Sequence, residues 1–121
     1  MLTREENEML TRIGPGTPAG EMLRRYWQPI GFDAELQDKP KRRRILGEDV
    51  VMFRDDQGRV GVLALRCMHR GTSLEFGHIE DGGLRCCYHG WLYDGAGRCL
   101  EQPFEEVANP EARFKDKIRL T

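Results

Sequence analysis

The feature that most constrains this chain is a set of four donor side chains: Cys67 and His69, then sixteen residues, then Cys86 and His89. The halves read Cys67-Met68-His69 and Cys86-Cys87-Tyr88-His89. Each offers one thiolate and one imidazole, and each follows a stretch with strand character. Two loops are therefore expected to close on one inorganic group from opposite sides. A Cys2His2 set can hold a zinc ion tetrahedrally, but zinc modules usually group Cys with Cys and His with His. Here the two types alternate. A Cys-x-His step puts two different donors on one side of a tight loop. That also suits a pair of irons, with both thiolates on one and both imidazoles on the other.

The rest of the sequence sets bounds. A chain of 121 residues suits one domain with one modest core. Its net charge of −1 gives no reason to expect a nucleic-acid partner. The one dense basic run, Lys41–Arg44, reads as a solvated turn or edge strand rather than a docking patch. No apolar stretch approaches the roughly 20 residues of a membrane span, and the polar start Met1-Leu2-Thr3-Arg4-Glu5-Glu6 lacks the apolar segment of a secretory signal. A cytoplasmic protein without membrane contact is expected. Four cysteines are too few for a disulfide-dense scaffold and read as ligands or free thiols.

Residues 1–26 read as a helical arm. Thr3 and Glu6 match a capping box, Met9, Leu10 and Ile13 follow at helical spacing, and Gly14 can end the helix. Thr17 can cap a second helix with Pro18 at its first position, carrying Met22, Leu23 and Tyr26. From Trp27 the pattern becomes short strands: 28–34, 43–46, 50–54, 60–66, 84–86, 91–93, 98–100 and 117–120. Turn residues at 47–49, 55–58 and 94–97 separate several of them. This argues for a mainly β fold, a small antiparallel barrel or sandwich. No internal repeat is evident. Cys99 reads as a small buried hydrophobe, His78 as a surface or loop-packing residue, and Cys87 as an exposed thiol. Trp91 and Tyr93 alternate as core residues, with Trp91 and Tyr88 placed to cover the inorganic group. The carboxylates Asp38, Glu48, Asp49, Asp55 and Asp56 sit in turns and suggest no acid–base pair.

Cys67-Met68-His69-Arg70-Gly71 with Cys86-Cys87-Tyr88-His89-Gly90-Trp91 resembles the Rieske motif of non-haem iron ring-hydroxylating oxygenases. Arg12–Pro18 and Arg24–Pro29 resemble the phthalate dioxygenase and vanillate demethylase branch of that family. The resemblance implies a Rieske iron–sulfur fold over residues 27–121. Its cluster-binding subdomain would lie at about 64–98. It implies a [2Fe–2S] cluster on Cys67, His69, Cys86 and His89, with Arg70, Tyr88, Gly90 and Trp91 around it. Where respiratory Rieske proteins carry a disulfide, this chain has Thr72 and Tyr88, and Cys87 stands where the family usually has proline. The missing disulfide, and Trp91 in place of a serine donor, lead us to expect a potential at the low end of the Rieske range of about −150 to +300 mV.

The implied function is electron transfer inside an aromatic ring-hydroxylating or demethylating oxygenase. An NAD(P)H-dependent flavin and iron–sulfur reductase would supply the electrons. A mononuclear iron in a larger catalytic domain, of the same or a neighbouring subunit of a trimer, would receive them. That iron needs two histidines and a carboxylate. Only His78 remains here once His69 and His89 are used, so the catalytic domain is expected to lie outside these residues. A stand-alone Rieske ferredoxin and a structural zinc module are the alternatives. Arg70 and the arm residues Arg25-Tyr26-Trp27 favour the oxygenase over the ferredoxin.

Overall fold

A computed structural model describes all residues, Met1–Thr121. The arm forms as the caps dictate. Helix α1 (Arg4–Thr11) starts at Thr3, whose side chain accepts from the Glu6 amide while the Glu6 carboxylate accepts from the Thr3 amide. Helix α2 (Pro18–Leu23) starts at Thr17, which accepts from the Gly20 amide. Neither helix adds an apolar side chain to the core, and Met9, Leu10 and Met22 stay exposed.

Two antiparallel sheets follow. The first has β1 (Lys41–Ile45), β2 (Glu48–Arg54) and β3 (Val60–Ala64) in sequential order. The second has β4 (His78–Glu80), β5 (Gly83–Arg85), β6 (Leu92–Tyr93) and β7 (Cys99–Glu101), also in order. Val51, Phe53, Leu63 and Leu65 from the first side meet Leu84, Tyr93 and Cys99 from the second in a single buried cluster. That cluster includes Cys67, Cys86 and Trp91, so the candidate donors grow directly out of the core. The mainly β expectation holds. Helix α3 (Pro103–Ala108) follows β7.

Two expected strands do not form. Residues 28–34 are irregular and end in a short 3-10 turn at Asp33–Glu35. Pro29 has no amide to offer a ladder. The segment is held instead by ion pairs, Glu35 with Arg43 and Asp33 with Arg54, and it covers β2 beside Met52. Residues 117–120 make one bridge, Arg98 opposite Arg119, rather than a ladder. Their backbone still ties the sheets together: the Leu120 amide donates to Gly97 O at 2.7 Å and the Ala64 amide to Thr121 O at 2.7 Å. The basic run lies on edge strand β1, where Arg42 and Arg44 pair with Asp49 and Arg43 with Glu35.

One turn is built twice. Asp55 Oδ1 accepts from the amides of Gln57 and Arg59, and its Oδ2 from Arg59 Nε at 2.7 Å. Asp94 accepts in the same way from Ala96, Arg98 and Arg98 Nε. Burial raises both carboxyls, but the backbone and guanidinium hydrogen bonds together outweigh it. Both therefore titrate below the ordinary aspartate range. A depressed carboxyl contributes stability above its unfolded pKa of about 3.9 and loses it as pH falls through the folded value. Asp94→Ala should thus lower stability by about 2 kcal/mol near neutrality, read from the denaturant midpoint, with the gap to the parent narrowing as pH falls below the ordinary aspartate range. A gap independent of pH would place the loss in packing instead.

Candidate metal centre

The two donor loops share one backbone plan. In the first, the Cys67 amide donates to Thr72 O at 2.9 Å and the Gly71 amide returns to Cys67 O at 2.8 Å. In the second, the Cys86 amide donates to Trp91 O at 2.9 Å and the Gly90 amide returns to Cys86 O at 3.1 Å. The arginine before each cysteine reaches the carbonyl of the loop's glycine: Arg66 Nη1 to Gly71 O at 3.4 Å, Arg85 Nη1 to Gly90 O at 2.9 Å. This is a structural repeat of Arg-Cys-x-x-x-Gly in the first loop and Arg-Cys-x-x-x-Gly in the second. It was not apparent from the sequence because His69 stands third in one loop and His89 fourth in the other. Gly71 and Gly90 close the loops at φ of 73° and 75°, a conformation that costs other residues about 1–2 kcal/mol.

The repeat brings all four donors together. The thiols of Cys67 and Cys86, both buried, line one pocket and influence each other. The neighbouring thiol lowers Cys86 against the effect of burial and, with burial, raises Cys67. The pair therefore releases its first proton early and its second late. The rings of His69 and His89 meet edge to face with centroids 4.5 Å apart. The donors, with Arg70, Thr72 and Trp91, line one small hollow.

His69 Nδ1 is buried and has no hydrogen-bond partner. A buried ring nitrogen left this way costs about 1–3 kcal/mol, so it marks a position built to bind something. No three acid, thiol or imidazole side chains gather tightly enough around one point to hold a single ion. Two sulfurs paired on one side and two imidazoles on the other fit a group with two metal atoms. The donor set fits the chemistry that the sequence motif implies.

The surrounding residues take distinct places. Trp91 is buried and stacks on His69, rings 4.8 Å apart and 6° from parallel. Tyr88 is 64% exposed, its ring centroid 3.8 Å from that of His89. Arg70 lines the hollow from an exposed position. Cys87 is exposed, and Cys99 is buried with its thiol pushed up to about 11 by desolvation. His78 is exposed on β4.

Two further residues join the site: Tyr93, read from the sequence as core alone, and Glu105, which no sequence signal ties to it. Tyr93 Oη lies 3.3 Å from Cys67 Sγ and accepts from the Met68 amide at 3.2 Å. Toward a thiolate, which has no proton to give, the Tyr93 O–H is the donor. Glu105, in the first turn of α3, accepts from Trp91 Nε1 at 3.1 Å and lies 3.5 Å from His69 Nε2. Pro103 followed by Glu105 and Glu106 is a helix-start signal that could have revealed α3, but nothing local ties it to His69.

Comparison with known proteins agrees. The model of the Rieske [2Fe-2S] domain matches residues 26–111. The 5,5'-dehydrodivanillate O-demethylase oxygenase subunit of Sphingobium sp. (strain NBRC 103272 / SYK-6) is 50% identical over 99% of the chain and 28% of its own length. The phenoxybenzoate dioxygenase subunit alpha of Ectopseudomonas oleovorans is 59% identical over 79% of the chain and 24% of its own. A crystal structure of dicamba monooxygenase with non-haem iron and dicamba superposes with a TM-score of 0.62 at 36% identity, over 64% of this chain and 24% of that one. The chain thus spans about a quarter of the length of the relatives it matches.

Because the two loops rest on positive-φ glycines, Gly71→Ala should destabilise the chain by about 1–2 kcal/mol although space for the methyl is open. Thermal unfolding checks this, and an unchanged midpoint would show that the loop relaxes freely.

Proposed function

The chain belongs to the Rieske [2Fe–2S] domain family, and from that premise we propose that Cys67, His69, Cys86 and His89 hold its cluster for one-electron transfer. The observation that carries the assignment is the meeting of the two sulfurs and the two imidazoles around one hollow, with His69 Nδ1 buried and unpartnered. When bound, the cluster supplies a one-electron couple whose potential the neutral imidazoles raise above that of all-cysteine clusters.

The protein's own part is to hold and bias that couple. The thiol pair of Cys67 and Cys86 gives up its first proton readily, which favours thiolate ligation. Tyr93 O–H donates to the Cys67 sulfur and draws off part of its negative charge. Such a donor favours the reduced form, so it opposes the low potential expected from the missing disulfide. Trp91 shields one face of His69 from water, while Tyr88 beside His89 leaves the second imidazole near the surface.

The relatives support an electron route. Those matched are oxygenase subunits of demethylase and dioxygenase systems. In this reading an NAD(P)H-dependent flavin and iron–sulfur reductase delivers electrons to the domain. They leave for a mononuclear non-haem iron in a catalytic domain, in the same subunit or the neighbouring one of a trimer. The dicamba monooxygenase structure holds non-haem iron, which supports that acceptor. The whole oxygenase would act on an aromatic substrate by hydroxylation or demethylation. No helix of this chain is long and apolar enough to cross a membrane, and the reading places the protein in the cytoplasm.

Purified protein should contain two irons and two acid-labile sulfides per chain, with Cys67→Ser and Cys86→Ser each losing both. Stoichiometric zinc without sulfide would overturn the assignment. Tyr93→Phe should retain the cluster and lower its midpoint potential by on the order of tens of millivolts, measured by protein-film voltammetry. A His69→Cys chain that keeps a cluster should fall further, because it adds a full negative charge. A rise in either variant would refute the electrostatic account.

A further inference from the structure

We propose that Glu105 is a positioning residue for the cluster, bridging Trp91 and His69 so that the two histidines become chemically unequal. The proposal rests on the assignment of His69 as a ligand. Glu105 Oε2 accepts from Trp91 Nε1 at 3.1 Å, and its Oε1 lies 3.5 Å from His69 Nε2. The Trp91 and His69 rings lie parallel, 6° apart, with centroids separated by 4.8 Å. Indole, imidazole and carboxylate thus form a closed triangle of contacts.

The bridge selects which nitrogen of His69 does what. A carboxylate facing Nε2 favours the tautomer with its proton there, which leaves Nδ1 with a free lone pair. Nδ1 is the buried, unpartnered atom. With a cluster held by His69 Nδ1, the carboxylate on the far side of the ring would oppose the added electron of the reduced state. With its side chain 29% exposed, Glu105 is only partly screened by water.

His89 has no such partner. Its neighbours are the Tyr88 ring at 3.8 Å and the Phe104 ring at 6.5 Å, and it makes no ion pair. Glu106, the next residue on α3, turns to Lys115 instead. It carries the same charge beside the same site without touching His69, and so serves as the control for loss of charge alone.

The test is made on the cluster-loaded chain. Glu105→Gln keeps the shape and removes the charge. It should raise the midpoint potential by about tenfold in the reduction equilibrium, or about 59 mV for a one-electron couple. Glu106→Gln should shift it much less. Pulsed EPR of the reduced cluster with 15N-labelled histidine should show one of two imidazole couplings changed by Glu105→Gln and the other preserved. An unchanged potential in the loaded glutamine variant, equal shifts in the Glu105 and Glu106 variants, or two couplings changed alike would each overturn the proposal. If Glu105→Gln does not load, Glu105→Asp, which keeps the charge but withdraws it from Nε2, should shift the potential upward by less. Failure of both to load while Glu106→Gln loads would assign Glu105 to cluster retention and overturn the tuning role. Failure of the parent chain to hold iron and sulfide would instead sink the ligand assignment beneath it.

Discussion

The backbone clasp in each donor loop is the interaction on which the site depends. A cysteine amide donates across its loop while the loop's glycine amide returns to the cysteine carbonyl. These bonds satisfy the polar groups of a chain that must turn back within five residues beside an apolar core, where an unmet amide would be costly. They also set where the sulfurs point. Because both loops use the same clasp, Cys67 and Cys86 arrive as a facing pair, and the histidines beyond them arrive as a second pair. The arginine at the foot of each loop adds a charged donor to the glycine carbonyl, stronger in the second loop at 2.9 Å than in the first at 3.4 Å.

The core and the site are one structure. Tyr93 lies fully buried between the sheets, yet its hydroxyl ends at Cys67. Trp91 fills core volume with one edge and covers His69 with its face. The segment after β7 closes this side through Glu105, and residues 118–121 lace the two sheets together. Changes in packing are therefore transmitted to the donors directly, since close-packed side chains leave little slack.

Much of this was legible in the sequence. Thr3 with Glu6 and Thr17 with Pro18 specify their helix starts locally, through hydrogen bonds three residues long, and both form. The short apolar runs of β2 and β3 and the turns beside them mark a sheet in the same local way. The stretch at 28–34 misleads because its residues suit a strand while Pro29 and its ion-pair partners on β1 and β2 hold it as an irregular cover. Strand β4 is short and half exposed, so its three residues carry too weak a pattern to read. The repeat in the loops escapes because backbone hydrogen bonding, not residue order, is what repeats.

By itself the sequence nominated the candidate donor set. Cys67, His69, Cys86 and His89 at that spacing narrow the chemistry because ligand type and loop reach are written in residue identity. It determined too that a short helical arm precedes a mainly β domain, since caps and alternation act over a few residues. The tertiary structure alone decided that the two thiols meet at one pocket, that His69 Nδ1 is buried without a partner, and that Tyr93 reaches Cys67. It alone set Glu105, thirty-six positions after His69, against that ring. These contacts join residues far apart in the chain, and their energies depend on angle, distance and exclusion of water, which exist only once the sheets have packed.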